Sequence, residues 1–241
     1  MNRPYIICHM VTSIDGRVTG EFLSSSTAQS ACELYYELNR RYKEKGAKGF
    51  ICGRVTMEGS FTEGWYPDLS KYEHRSNEKD LKTDFVPCEM TGFYAVAFDS
   101  HGKLGWKSNR IVDPDGDPGY DGAQIIEILS EETDDRYLAY LRDMKIPYFF
   151  AGEKEIDVEL ALSKLKNLIG VDTILLEGGG MINGSFMKAD CVDEVSLVVA
   201  PVIADKDDKS LFHNFNGDIP LFKLEKAEKV NDNLVLNYVR K

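Results

Sequence analysis

The chain has 241 residues, with 29 Lys or Arg against 40 Asp or Glu, a net charge of -11. That balance argues against a groove that tracks nucleic-acid phosphates and against basic attachment to an anionic membrane. With 43% hydrophobic and 11% aromatic residues the chain is expected to bury a sizeable core. Its longest apolar stretch, Leu197 to Ala204, is too short to cross a bilayer, and its amino terminus carries no secretion signal.

The elements alternate along the chain. Tyr5–Val11 reads as a strand that ends in the turn Thr12-Ser13-Ile14-Asp15-Gly16. Thr27–Lys45 has helical spacing, with Leu34, Leu38 and Tyr42 on one stripe and Gly46 as its C-cap. Gly49–Gly53 is a short buried strand, and Arg54–Ser60 a turn of helix. Phe61–Gly92 is polar and irregular, a long loop of the kind that is functional or mobile. Phe93–Asp99 and Gln124–Leu129 are strands on either side of the Gly/Pro/Asp-rich segment Asp113–Gly122. Asp134–Lys145 reads as a helix capped by its Asp.

A β-α-β-α-β run follows: Tyr148–Ala151, Asp157–Leu168, Thr173–Leu176, a glycine-opened helix through Lys188, and Glu194–Val199. Phe222–Val230 and Leu234–Arg240 close the chain as a hairpin around Asn231-Asp232-Asn233. The pattern predicts an α/β fold. Its mostly parallel central sheet carries helices on both faces and a C-terminal antiparallel hairpin. No linker or repeat interrupts it, so 1–241 reads as one domain.

The five cysteines, Cys8, Cys32, Cys52, Cys88 and Cys191, form no C-x-x-C pair. Cys8, Cys52 and Cys191 lie in or beside apolar runs and read as small buried hydrophobes, and the set as a whole suggests a reducing, cytoplasmic compartment. His9, His74, His101 and His213 have no neighbour at metal-ligand spacing, so no metal site is expected. His74 is a catalytic candidate that a surface histidine outweighs. Trp65 and Trp106 could wall a pocket for a flat ring or simply pack.

The strongest chemical feature is the run from Leu175 through Glu177, Gly178, Gly179, Gly180, Met181, Ile182, Asn183, Gly184 and Ser185. A strand runs into three glycines and then a helix. Such a turn approaches a ligand closely, and the helix start favours a phosphate. Neither the dinucleotide fingerprint nor the P-loop fits: Asn183 takes a glycine position of the first, and Ser185-Phe186 replaces the Lys-Ser/Thr of the second. A purely structural turn weighs about equally on spacing alone. Cys52-Gly53-Arg54-Val55-Thr56 is a second strand-end turn that could offer phosphates a guanidinium and a hydroxyl, although taken alone it reads as an ordinary turn.

Taken in order, these segments resemble one family. They are Met10 to Arg17, Gly53 to Glu58, Val96 to Ser100 with Gly102-Lys103-Leu104 and Trp106, and Tyr137-Leu138 to Leu141-Arg142. Ile146-Pro147-Tyr148, Ala151-Gly152-Glu153, Glu177 to Gly184, Val192-Asp193-Glu194 and Ala200-Pro201-Val202 complete the set. The chain resembles the reductase domain of the bifunctional riboflavin-biosynthesis deaminase/reductase, which has a dihydrofolate-reductase-like fold. That resemblance implies reduction of the ribose imine of a phosphoribosylamino-pyrimidine by NADPH, with NADH as the alternative cofactor.

Carried over by position, Gly178 to Ser185 fall where the family cradles the cofactor pyrophosphate. Gly53 and Thr56 match a cofactor-contacting turn, Thr12 and Ser100 further cofactor contacts, and Gly152 the adenine or ribose end. Glu177 matches a carboxylate on the substrate side. Arg54 is assigned the NADPH 2′-phosphate on charge grounds. The family implies a homodimer, an expectation that the apolar Leu197–Ala204 run near the terminal strands also suggests.

The departures lie on the substrate side. Ser60 stands where the family has Asp, the following Leu-Thr-x-Arg run is missing, and Glu44 replaces an Arg that binds the substrate phosphate, with Arg40 and Arg41 close by. The deaminase half is absent, since Pro87-Cys88 is followed by no second cysteine. Three readings therefore stand. The first is a pyrimidine reductase of the riboflavin pathway. The second is a dihydrofolate-reductase-like enzyme with another imine or carbonyl substrate. The third is a non-catalytic nucleotide-binding protein.

Overall fold

A computed structural model describes residues 2–76, 78–87, 90 and 92–241; Cys88 lies outside the described residues. The chain divides into two compact units, one built from residues 1–4 and 48–172, the other from 5–47 and 173–241.

In the first unit, β2 (Gly49–Gly53) leads into α2 (Arg54–Met57) and a π turn (Glu58–Thr62). Then come β3 (Tyr94–Phe98), β4 (Gln124–Leu129), α3 (Asp135–Asp143), β5 (Tyr148–Phe150) and α4 (Val158–Ile169). The four strands lie side by side in the order β5-β4-β3-β2, all parallel. β3, β4 and β5 are buried along their whole length, which is why they read as mostly apolar runs rather than alternating ones, with Gln124 and Glu127 the polar residues of β4. Tyr137, Tyr148, Phe50 and Phe149 are the largest side chains sealed in this core.

In the second unit, β1 (Tyr5–Thr12) lies between β6 (Thr173–Leu176) and β7 (Glu194–Val199), parallel to both. β9 (Asn233–Arg240) pairs antiparallel with β7, and β8 (Phe222–Val230) with β9. α1 (Gln29–Glu44) and α5 (Gly180–Lys188) complete the unit. The architecture is α/β as expected: mostly parallel strands, helices on both faces, and an antiparallel C-terminal pair.

Local chemistry sets the helix ends. Asp134 caps α3 by accepting from Arg136 N, and Asp157 caps α4 by accepting from Leu160 N. Gly170, at φ 69°, stops α4. The apolar stripe of α1, Leu34 and Leu38 with Tyr35, packs against a buried cluster of Val11, Phe22, Ala28, Ala31, Val198 and Ala200, against which Val202 and Ala204 also pack. Much of the apolar 197–204 run is thus accounted for within the unit.

The segment 61–92 is less irregular than its composition suggests. Leu69–Arg75 forms a 3-10 helix that packs on α3. Phe85 forms an antiparallel bridge with Tyr148, and the Tyr148 hydroxyl donates to Leu81 O at 2.7 Å. Arg142 donates to Asp80, and its guanidinium lies 4.7 Å from the Phe85 ring centroid. Lys164 pairs with Asp84. These contacts strap the described part of the segment to α3, β5 and α4, which the polar composition alone could not show.

Candidate functional site

In the second unit the strand-to-helix turn forms where β6 ends. Glu177, 6% exposed, is the first residue beyond the strand. Gly178 takes φ 92°, and the Gly178–Gly179 peptide is cis. Two glycines of α5 serve close packing. A Cβ on Gly180 would stand 2.3 Å from Ser210 O, and one on Gly184 2.1 Å from His213 O. His213 N donates to Gly180 O, which locks the 210–213 segment along the helix.

Ile182, Asn183 and Gly184 are buried, whereas Met181 and Ser185 are exposed. Gly178 and Gly180 are buried as well and Gly179 is half-buried, so the exposed part of the turn is Met181 and Ser185. The first N–H groups of α5 have no intrahelical acceptor, and its first turn carries no acidic residue.

Thr12 ends β1 and is buried. The Ser13-Ile14-Asp15-Gly16-Arg17 motif beyond it ties two loops together. Ser13 Oγ donates to Asp15 Oδ1 at 2.7 Å, Ala204 N donates to the same oxygen at 3.1 Å, and Arg17 donates to Asp208 O at 2.8 Å. The Ser13 hydroxyl, then the Ala204 N–H, hold the Asp15 carboxyl below its ordinary range. Next to this tie lies an open recess of about 740 Å³, lined by Gly20, Phe22, Ser25, Thr27, Val202 and Asp208 among others.

A polar stripe runs beneath α1. Tyr35, Asn39 and Tyr42 share one helix face by their spacing. His9 stacks on Tyr35 at 4.4 Å between centroids and meets Tyr42 edge-on. Its Nε2 donates to Tyr35 O at 3.1 Å, and Ser196 Oγ donates to Nδ1 at 3.0 Å, an arrangement that needs a neutral ring. Burial lowers the His9 pKa to about 4. Asn39 Nδ2 donates to Glu177 Oε1 at 2.6 Å.

In the first unit, Gly53 has φ -75°, a conformation open to any residue. Arg54 pairs with Glu58 at 2.5 Å, each side chain more than a third exposed. Thr56 stands one residue before the end of α2. Ser100 O accepts from Ser130 N, and Gly152 O from Glu131 N, so the 130–131 segment stitches the ends of β3 and β5 together. Gly152 needs its missing side chain, because a Cβ there would stand 2.1 Å from Glu155 O.

Asp99 accepts from the N–H groups of Lys103 and Leu104, yet burial still raises its pKa despite these bonds and the nearby Arg54. Glu127 is sealed inside, with Trp106 Nε1 donating to Oε1 and the Tyr137 hydroxyl 3.4 Å away. Burial, then the Asp99 charge, raise its pKa well above the ordinary carboxyl value. Trp106 is thus a packed core residue, and of the two tryptophans only Trp65 is exposed. Spacing gave no sign of the Asp99–Glu127 cluster. Its signal is a carboxylate inside an otherwise apolar strand.

Among the described residues no cluster of His, Cys, Asp and Glu could hold a metal. Cys8, Cys52 and Cys191 are buried free thiols, and Cys32 is a half-buried one.

Parallel strands whose carboxyl ends open into glycine turns and helix starts define an α/β ligand-binding fold. Solved structures share it. A pyrimidine reductase-like protein from Corynebacterium diphtheriae superposes with a TM-score of 0.66 at 17% identity, covering 100% of this chain and 93% of that one. The riboflavin biosynthesis reductase Rib7 of Saccharomyces cerevisiae gives 0.60 at 12% identity, covering 100% and 91%.

The chain belongs to the RibD C-terminal domain family, whose profile matches residues 4–236. Among its relatives is the 2,5-diamino-6-ribosylamino-4(3H)-pyrimidinone 5′-phosphate reductase of Methanothermobacter thermautotrophicus, 27% identical over 126 residues. The match takes in 50% of this chain and spans 57% of that relative's length. The enzyme of the same name from Aquifex aeolicus is 24% identical over 206 residues, 84% of this chain and 79% of its own.

Proposed function

We propose that this protein is an NADPH-dependent reductase that reduces the ribose imine of a phosphoribosylamino-pyrimidine in riboflavin biosynthesis. The observation that carries the reading is the family match across residues 4–236, ending in a turn whose chemistry suits an anionic cofactor. The start of α5 suits a pyrophosphate: it is a helix N-terminus with no acidic side chain in its first turn, and its Met181 and Ser185 are exposed. The backbone of Gly178 to Ile182, with Ser185, would hold that group, while Asn183 and Gly184 support the turn from behind. In the first unit, Arg54 is the position that charge assigns to a 2′-phosphate, and Gly53, Thr56, Ser100 and Gly152 are the positions that the family resemblance assigns to cofactor contacts. Thr12 is the remaining candidate, in the second unit.

Bound NADPH supplies the hydride. The residues of this chain bind and orient the cofactor and the acceptor in this reading. Glu177 presents a carboxylate to an N–H of the pyrimidine side of the substrate. Ser60 stands where the family resemblance has an Asp, and Glu44 where it has an Arg that helps bind the substrate phosphate. The protein acts in the cytoplasm as a homodimer in this reading. Exposed Ile219 and Leu221, with Leu224 on β8, offer apolar surface for a second copy, and sedimentation as a monomer at micromolar concentration would refute that assembly.

The test is thermal unfolding with NADPH, with NADH and without nucleotide, followed by cofactor oxidation with an aminopyrimidine ribosyl phosphate acceptor. A ligand at about 100 times its Kd adds ~2.7 kcal/mol. That amounts to roughly 5–10 °C for a chain of this size. A shift larger with NADPH, together with turnover, supports the reading. Binding without turnover on any acceptor points to a nucleotide-binding protein without catalysis, and no shift in a folded protein removes the cofactor site.

A further inference from the structure

We infer that Asn39 is a positioning residue for Glu177, fixing its carboxylate for the substrate. The inference rests on the reading of Glu177 given above. Asn39 is 0% exposed, on the inner face of α1 between Tyr35 and Tyr42. It is buried with its Oδ1 atom unpartnered, a net cost to the fold.

What the asparagine gains is a single bond, from Nδ2 to Glu177 Oε1 at 2.6 Å, within the short range of charge-assisted donors. The amide orientation follows from the same contact, since Oδ1 turned toward the carboxylate would repel it. Register explains why the two residues meet. Cys8 pairs with Leu176, so Glu177 lies level with His9, whose side chain points at α1 through Tyr35 and Tyr42. Asn39, four residues after Tyr35 and three before Tyr42, occupies the same face.

Residues that break a local packing rule for one polar contact concentrate at functional sites. A carboxylate that must meet a substrate N–H needs a fixed direction, and Asn39 supplies it from behind. The other titratable groups around this stripe are His9 on β1, Tyr35 and Tyr42 on α1, and Glu194 on β7, which accepts from Tyr42 and Asn237.

Asn39→Leu and Asn39→Asp separate positioning from packing. Asn39→Leu is expected to fold, to bind NADPH within about twofold of wild type, and to lose roughly 10- to 100-fold in kcat/KM for the pyrimidine acceptor. Asn39→Asp places two carboxyls face to face, and they can share one proton. Its activity is expected to persist in acid and to fall through a new ionisation as pH rises, a limb absent from wild type. A packing role would give pH-independent losses that follow stability.

Carbon-13 NMR of the Glu177 carboxyl provides a readout apart from turnover. Its pKa is expected to rise in Asn39→Leu, because the bond to the charged form is gone. An unchanged Glu177 titration, or folded Asn39→Leu with wild-type kcat/KM, overturns the proposal. Wild-type protein that turns over no acceptor, with the NMR shift present, instead overturns the reductase reading and leaves the Asn39–Glu177 coupling in place.

Discussion

In the first unit, the loop after β3 is fastened by buried side chains. Asp99 holds the N–H groups of Lys103 and Leu104, the Tyr137 hydroxyl donates to Leu104 O at 2.7 Å, and Trp106 N donates to the Tyr140 hydroxyl at 2.7 Å. In the second unit, the 210–213 segment is fastened by the absence of side chains, with Gly180 and Gly184 letting its carbonyls reach the α5 backbone. Burial raises the pKa values of Asp99 and Glu127 in the first unit and lowers that of His9 in the second, so these groups respond to pH in opposite directions. A glycine-rich turn and an acid-bearing strand thus serve the same end, holding a strand-end loop in place.

The contrast breaks most visibly at Gly184. A Cβ placed 2.1 Å from a backbone carbonyl cannot be absorbed by a rotamer change, so Gly184→Ala should cost about 3 kcal/mol or more. The loss is read from the urea midpoint. If Gly184→Ala unfolds at the wild-type midpoint, the contact is not what holds the segment.

Next in size is the His9 effect. Its folded pKa, about 4, lies below the 6.5 of an unfolded histidine, so the unfolded chain binds the proton more readily. The contribution is fully present above pH 6.5 and is lost as pH falls toward 4, amounting to roughly 2–3 kcal/mol by pH 4.5. Denaturation at pH 7 and 4.5 should show a smaller drop for His9→Gln than for wild type. Equal drops would place the acid sensitivity elsewhere.

Glu127 runs the opposite way. Its raised folded pKa means that stability is lost as pH rises through that value, so Glu127→Gln should unfold later than wild type at pH 9 and similarly at pH 5. Tyr137→Phe leaves Leu104 O without its donor, a cost of about 1–2 kcal/mol in the same assay.

Most of the fold was legible because parallel β-strands and capped helices leave local marks. β4, β6 and β7 stand at the residues their apolar runs mark, and Asp134 and Asp157 cap α3 and α4. The segment 61–92 was not legible, since what orders it is distant: Tyr148, Arg142 and Lys164 reach it from α3, β5 and α4. The candidate site was legible as motifs but not as roles. Spacing alone could not separate Gly180 and Gly184, which serve packing, from Gly178, which adopts φ 92°. Nor could it pair Asn39 with Glu177, 138 residues apart, because that contact depends on the register between β1 and β6.

The smallest effect on stability is expected where the consequence for binding is large. Arg54 and Glu58 form an i, i+4 pair on a half-exposed surface, with no further partner needed to keep the turn folded. Such pairs contribute ~0.3–0.5 kcal/mol, so Arg54→Ala should shift the unfolding midpoint by less than that of any variant above. Its guanidinium also acts on Asp99, whose carboxyl it draws down against the larger effect of burial, so the cation stands at the carboxyl end of β3. If that cation meets a 2′-phosphate, its removal should weaken NADPH by roughly 10- to 100-fold, the worth of a charge-assisted contact, and leave NADH nearly unchanged. Titration of both nucleotides against wild type and Arg54→Ala gives the ratio directly. An equal loss for both would assign Arg54 to the turn itself, and no loss for either would return it to the solvent-facing pair with Glu58.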